Sequence, residues 1–396
     1  RAPRGLAARA RGAAGATPVS SSNYPSPTSS RTVCHSNAHT EPRPMPYENK
    51  FMHTKRVFNT QPEVMGYVIN VGEMVHERVL KRPLMTCLLA VQAGILLSFG
   101  VLMSCQVGGR WGSSTGVNSF VFAGFGIPFG LTFIVMCQGS ELITANYMFC
   151  SFAVLAAAPE DRARQIKGLL ANWTLAWGGN LAGAILHFVM FAWSTGLIKT
   201  VAVDNEAYSD PTGSLEHSEM IYFPDADSFR TAFATTFCSA GNFGNGNICF
   251  VIKAARAKCT ATFTTSIIRG MGCNYMVCLA IWLQMIATEP ISKFIMIWLP
   301  IELFISCGFD HLVVNQFLIP AGIMVGGRII DDRVNWGNAF WFNFFPVTIG
   351  SICGAWLLVI PFWLVNKDGW FAGQARKAKV QDAKPADGFP AGVIEA

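Results

Sequence analysis

Apolar residues run through this chain in long stretches, near residues 84–105, 117–158, 168–198, 260–288, 291–326 and 340–365. An α-helix rises 1.5 Å per residue, so about 20 apolar residues carry it across a hydrocarbon layer about 30 Å thick. The second and fifth stretches exceed one comfortable crossing, and a polar cluster interrupts each. The first cluster reads GSELITANYMF, with Gly139, Glu141 and Asn146; the second reads GFDHLVVNQFL, with Gly308, Asp310 and Asn315. The pattern predicts an all-α membrane protein of six transmembrane helices, the second and fifth broken. Strands of a membrane barrel would alternate polar and apolar residues, which these stretches do not.

The two clusters lie 169 residues apart with the same internal spacing, and Asn172, Gly179 and Gly183 recur 171 residues on as Asn343, Gly350 and Gly354. The chain therefore reads as a duplication, each half holding a carboxylate-bearing break followed by a glycine-spaced helix. Irregular backbone at membrane depth is tolerated only where it lines a cavity or is buried in protein, and transporters frame their permeation path with such breaks. Transport is the function class this favours.

Composition agrees. Half the residues are hydrophobic (51%) and only 14% are charged, which excludes an ordinary soluble domain. Most of the twelve cysteines sit in apolar stretches without a CxxC pair, so they read as small buried hydrophobes rather than disulfides. The seven histidines are scattered without ligand spacing, which predicts neither metal nor cofactor. Residues 1 to about 40 are rich in Arg, Ala, Ser and Pro and hold no acidic residue before Glu41. Segment 1–45 has the composition of an organellar transit peptide, with a disordered basic tail as the alternative.

Thr60 and Pro62 predict the start of an interfacial helix over 60–82, with Val64, Val68, Val71, Val75 and Val79 on one face. Basic residues (Arg78, Lys81 and Arg82; Arg162, Arg164 and Lys167; Arg328 and Arg333; Arg376, Lys377 and Lys379) mark one side of the membrane. By the positive-inside rule that side is cytosol-equivalent and holds both termini, leaving segment 199–259 as a long external loop and 366–396 as a tail.

Six ionisable residues lie within or beside the spans: Glu141, His187, Arg269, Glu302, Asp310 and His311. Each costs several kcal/mol if it faces lipid unpaired, so each must face protein or water. Glu141 and Asp310 are expected to accept hydrogen bonds from backbone N–H groups freed at the breaks, with a cation site as the alternative. His187, without polar neighbours on its helical face, is expected to be a satisfied packing residue. His311 stands where the first half has Leu142. A histidine beside a break titrates near neutral pH and can present a donor to an anion; the plainer reading is a helix-end histidine bonded to a carbonyl.

Five ordered motifs make the chain resemble the formate/nitrite transporters: FGLTFIVMCQGSELITAN (129–146), NWTLAWGGNLAGA (172–184), CNYMVCLAIW (273–282), GFDHLVVNQFLIPAGI (308–323) and PVTIGSICG (346–354). The resemblance implies an aquaporin-like inverted three-plus-three repeat, a pore in each protomer and a homopentamer in lipid, with no enzymatic activity and no nucleic-acid partner. It makes His311 the central pore histidine, faced by Thr144. Leu142 and Ile143 fall at one constriction, and Phe304 with Ile127 or Phe129 at the other. Lys258 becomes a vestibule lysine that attracts anions. Asn274, Asp310 and Asn315 become the network holding the histidine, and Glu141, Asp310, Asn172 and Ser351 a structural network at the helix breaks. Ser351 stands where the family commonly has Asn, Ile143 replaces a more usual Phe, and Glu302 is unusual in its helix.

The function so implied is proton-coupled transport of nitrite or formate. Hydrosulfide and lactate are alternative cargoes, and a water or ammonia channel is the alternative class. The lack of NPA triplets counts against water, and no paired ligand pattern supports a haem or metal enzyme built on His187 and His311. Algal relatives include chloroplast nitrite carriers, which with the transit-like segment suggests the inner envelope; plasma and mitochondrial membranes are the alternatives.

Overall fold

In the computed structural model the described parts of the apolar stretches are mainly helical. Residues 58–110, 126–137, 140–203, 220–238 and 246–370 are described. The expected transit segment 1–45 and the basic cluster at 376–379 lie outside them. Helix α1 spans Gln61–Lys81 and starts as its sequence predicts: the Glu63 carboxylate accepts the Thr60 N–H at 2.8 Å, with Pro62 in the first turn. Its Val64, Val68, Val75 and Val79 are buried against protein.

The next helices are α2 (Pro83–Val107), α3 (Ile127–Cys137), α4 (Ile143–Ala156) and α5 (Arg162–His187, running on to Trp193). Within segment 199–259, β1 (Thr200–Val203) and β2 (Met220–Phe223) pair in parallel and are followed by α6 (Ala226–Ala232). Then come α7 (Gly246–Cys259), α8 (Phe263–Ile286), α9 (Pro290–Ser306), α10 (Leu312–Gly322, running on to Ile330) and α11 (Phe345–Trp370). Among the described residues five helices are long and apolar enough to cross a membrane: Pro83–Val107, Arg162–Trp193, Phe263–Ile286, Leu312–Ile330 and Trp336–Asn366. The second predicted span consists of two short helices, α3 and α4, on either side of a break. The fifth consists of α9 and α10, with the chain turning between them at Gly308, whose φ of +75° suits glycine.

The duplication is visible in the packing. The largest helix contacts are α2 on α5 and α8 on α11, while α1 packs on α4 much as α7 packs on α10. Close approach explains the recurring glycines: a methyl group on Gly183 would lie 2.1 Å from the Val91 carbonyl oxygen, and one on Gly350 would lie 2.1 Å from that of Ile267. The halves run in opposite directions. Asn59, at the start of α1, donates its N–H to Ile286 O at the end of α8 (2.7 Å), while Gly246, starting α7, packs on Gly109 just past the end of α2.

The small β1–β2 sheet and an isolated antiparallel bridge between Phe58 and Ala287 depart from all-α character among the described residues. A disulfide joins Cys238 to Cys249 on α7, an exception to the reading of the cysteines as small buried hydrophobes rather than disulfides. That reading holds for Cys105, Cys150, Cys259, Cys273 and Cys278. It fails for this pair because the two lie outside the membrane helices, only 11 residues apart. The far end of α7 is tied down by Arg256, whose Nε lies 2.9 Å from Asp331 Oδ2. Hydrogen bonds from Arg333, with Arg256 adding to them, hold the Asp331 carboxyl well below the usual range.

Candidate functional site

The first break is held from the side by Asn180 of α5. Its Oδ1 accepts the Ile143 N–H at 2.9 Å, and its Nδ2 donates to Ala90 O (2.8 Å) and Glu141 O (2.9 Å). The Glu141 carboxylate is buried and meets Arg78 of α1 at 3.2 Å. It also accepts from Asn146 Nδ2 at 2.5 Å and Asn172 Nδ2 at 3.2 Å.

The second break repeats this plan. Lys258 of α7 pairs with Asp310, Asn315 Nδ2 donates to Asp310 Oδ1 at 3.4 Å, and the same Nδ2 reaches Asn343 Oδ1 at 2.9 Å. Aspartate is one methylene shorter than glutamate, and its Oδ2 and the Asn343 Nδ2 are left without a protein partner. The backbone amides match as well, with Glu141 N–H donating to Leu89 O (3.1 Å) and Asp310 N–H to Arg269 O (3.3 Å).

These contacts correct the expected role of the carboxylates. They do not cap the N–H groups freed at the breaks; a cation and side-chain amides take their oxygens. The physical reason is charge: a buried carboxylate needs a counter-ion, and the preceding helix supplies one. By sequence position Arg78 is only a flanking charge. It stands five residues before Pro83, which starts α2, as Lys258 stands five before Phe263, which starts α8. Extending the duplication upstream of its apolar stretches finds it.

The two breaks meet where Thr144 Oγ1 lies 3.3 Å from His311 Nε2. His311 is the N-cap residue of α10, and its Nδ1 accepts the Val314 N–H at 3.2 Å. A nitrogen that accepts an amide carries no proton, so the neutral ring is protonated on Nε2 and donates towards Thr144. Phe304 stacks on the ring at 5.9 Å between centroids and 18° between planes. Beside them is a cavity of about 180 Å³ lined by Lys258, His311, Phe304, Ile127, Asn315, Phe309 and residues of α7. A cation, a histidine donor and apolar side chains in one lining suit a small anion that must shed water.

A sequence profile described as formate/nitrite transporter matches residues 65–365, most of the chain and all of this site. The chain belongs to the formate/nitrite transporter family. It is thus a multi-pass membrane protein of a transport family, not an enzyme. A "Probable formate transporter" of Methanothermobacter thermautotrophicus is 32% identical over 274 residues, covering 68% of this chain and 84% of that protein. The formate channel FocA of Escherichia coli K12 is 27% identical over 300 residues, 72% of this chain and 87% of that one.

Two solved structures share the fold. One is an FNT family ion channel, with a TM-score of 0.58 and 22% identity over 76% of this chain and 98% of that chain. The other is a pentameric formate channel with formate bound, with a TM-score of 0.50 and 24% identity over 71% and 96%.

Within this formate/nitrite transporter fold, other residues singled out from sequence fall as follows. Of the two residues expected to accompany Phe304 at a constriction, Ile127 lines the cavity, while Phe129 turns away onto Phe294 and Trp298 of α9. Leu142 and Ile143 are buried at the first break. Asn274 does not bond to His311: its Nδ2 donates to Ser351 O at 2.7 Å and to Cys278 Sγ at 3.8 Å, which corrects its place in the histidine network. The ring is held instead by Thr144 and the Val314 amide. Lys258 is not a free cation at the mouth but the partner of Asp310, with 18% of its side chain exposed. Glu302 is on the outer face of α9, accepting from Ser306 Oγ at 2.8 Å, away from the cavity lining.

His187 packs among Phe99, Phe191 and Phe317, but neither ring nitrogen has a partner, so it is a packing histidine without the expected satisfaction. Among the described residues no three His, Cys, Asp or Glu side chains gather as metal ligands would.

Proposed function

We propose that this protein carries a small monovalent anion, formate or nitrite, together with a proton, through a path in each protomer where the two helix breaks meet. The observation that carries the reading is a cavity lined by both Lys258 and His311, with Thr144 Oγ1 3.3 Å from His311 Nε2. An anion crossing an apolar constriction bare loses hydration worth several kcal/mol even after protein relaxation, so it needs compensation or neutralisation. Lys258, partly offset by Asp310, draws anions to the cavity. His311 Nε2–H and the Thr144 hydroxyl donate to the bound anion, which takes a proton from water on the cavity side and crosses the apolar step as a neutral acid. His311 acts here as a donor rather than a relay, because its Nδ1 is occupied.

In this reading Ile127 and Phe304 form one constriction, and Leu142 and Ile143 the other. Glu141, Asp310, Asn172, Asn315, Asn274 and Ser351 hold the breaks in place. Formate and nitrite fit because both are small conjugate bases of weak acids, and the related formate transporters support the cargo class. The pentameric formate channel supports a homopentamer. The basic, acid-free segment 1–40 supports an organelle membrane, and the plastid envelope is the one that suits nitrite. The test is saturable uptake of labelled formate and nitrite into proteoliposomes, with and without an inward proton gradient. Uptake that is saturable and gradient-accelerated is the expected result; gradient-independent flux of both anions contradicts proton coupling, and absence of anion flux contradicts the reading.

A further inference from the structure

The two halves of the repeat differ at two places that act together. In the first half the helix after the break begins with Leu142 as N-cap, and that side chain caps nothing; Asn180 closes the break with three hydrogen bonds. In the second half the N-cap residue is His311, and the position of Asn180, 171 residues on, is Ser351. Ser351 is buried, its carbonyl accepts from Asn274, and its side chain takes up none of the three bonds that Asn180 makes.

The third amide of each helix records the consequence. Ala145 N–H in the first half donates to the carbonyl of the N-cap residue, Leu142, at 3.1 Å. Its counterpart, Val314 N–H, donates instead to the ring of the N-cap residue, reaching His311 Nδ1 at 3.2 Å. The fourth amide does not differ, since Asn146 N–H and Asn315 N–H both go to the N-cap carbonyl, at 3.0 and 2.9 Å. The halves thus diverge at two amides: the first, which Asn180 accepts in one half and the Ser351 side chain does not in the other, and the third, which goes to the N-cap carbonyl in one half and to the N-cap ring in the other.

We infer that Ser351 is a positioning residue for His311. Without an amide side chain to close the second break, the Val314 N–H turns to His311 Nδ1, and the proton of the neutral ring is confined to Nε2, on the Thr144 side. An asparagine at 351 would reach the Leu312 N–H and the Asp310 carbonyl as Asn180 reaches Ile143 and Glu141. The Val314 amide would then return to the His311 carbonyl, releasing Nδ1 and with it the ring's fixed tautomer. The serine hydroxyl has no part in this; what matters is the missing amide. The link to transport rests on the function proposed above, but the hydrogen bonding of His311 does not.

The experiment compares Ser351→Asn, Ser351→Ala and the unmodified full-length chain in lipid, with ¹⁵N-labelled histidine. The His311 nitrogens are identified by their loss in His311→Phe. The unmodified protein and Ser351→Ala should both show a neutral ring protonated on Nε2, whereas Ser351→Asn should show a population protonated on Nδ1. In uptake assays Ser351→Asn should lower the maximal rate about tenfold, as loss of one oriented donor would, with KM little changed because Lys258 is untouched. An unchanged ring in Ser351→Asn overturns the inference, as does an altered ring in Ser351→Ala, a variant that only trims an unbonded hydroxyl. If the parent moves no anion but the resonances behave as expected, the transport reading fails and the positioning role stands.

Discussion

Thr144 Oγ1 lies 3.3 Å from His311 Nε2, and through this contact the N-terminus of a helix in one half of the repeat touches that of its counterpart in the other. If the pair forms the floor of the path, Thr144→Val keeps the volume but removes both an acceptor for the histidine and a donor for the anion. Initial formate and nitrite uptake should fall about tenfold, the worth of one hydrogen bond of about 1.4 kcal/mol, while Thr144→Ser stays near the parent rate. Stopped-flow uptake into proteoliposomes reads this directly, and a Thr144→Val protein working at full rate would place the path elsewhere.

Each break carries a buried carboxylate facing one cation from the helix that precedes its half: Glu141 with Arg78, and Asp310 with Lys258. Removing only the cation strands a buried charge, a loss of about 3–5 kcal/mol. Arg78→Met and Lys258→Met should therefore lower thermal stability markedly. The doubles Arg78→Met/Glu141→Gln and Lys258→Met/Asp310→Asn should recover most of it. Unfolding in detergent, analysed as a double-mutant cycle, measures the coupling. Strictly additive losses would mean that neither pair holds its break.

The crossing of α2 and α5 permits no side chain at Gly183, where a methyl would sit 2.1 Å from Val91 O, whereas Gly178, earlier on the same helix, has open space around it. Gly183→Val should abolish the folded protein or cost more than about 3 kcal/mol, by overpacking backbone that is already in contact. Gly178→Ala should be neutral or slightly stabilising, because alanine suits a helix better. Size-exclusion profiles and melting temperatures of the two variants decide it.

How much of this is legible in the sequence follows from the kind of interaction involved. The broken spans are readable because lipid demands about 20 apolar residues per crossing, and a polar cluster inside a longer apolar run is where the backbone can leave the helix and stay buried. The pairing of Glu141 with Asp310 and of Asn172 with Asn343 is readable because the duplication keeps their spacing. Arg78 escapes because α1 is amphipathic and has no apolar run to align with α7, although the five-residue offset from the following helix is there to find. Asn180 escapes because its partner in the other half is Ser351, so the repeat offers no matching letter to mark it. The destinations of hydrogen bonds are not legible: spacing alone does not say whether Asn274 turns to His311 or to Ser351, nor that Val314 caps on an imidazole rather than on a carbonyl. The disulfide between Cys238 and Cys249 lies in segment 199–259, which has no membrane-helix periodicity, and only the folded chain brings the two sulfurs together.

The central claim, that an anion and a proton cross together at the Thr144–His311 contact, is tested most directly by recording internal pH in liposomes holding a trapped pH dye while external formate or nitrite is added. The account predicts that each anion acidifies the interior of vesicles bearing the parent protein, saturably and in proportion to labelled anion taken up, and that His311→Phe abolishes this in a folded assembly. Anion uptake without acidification, or acidification that survives His311→Phe unaltered, would contradict it.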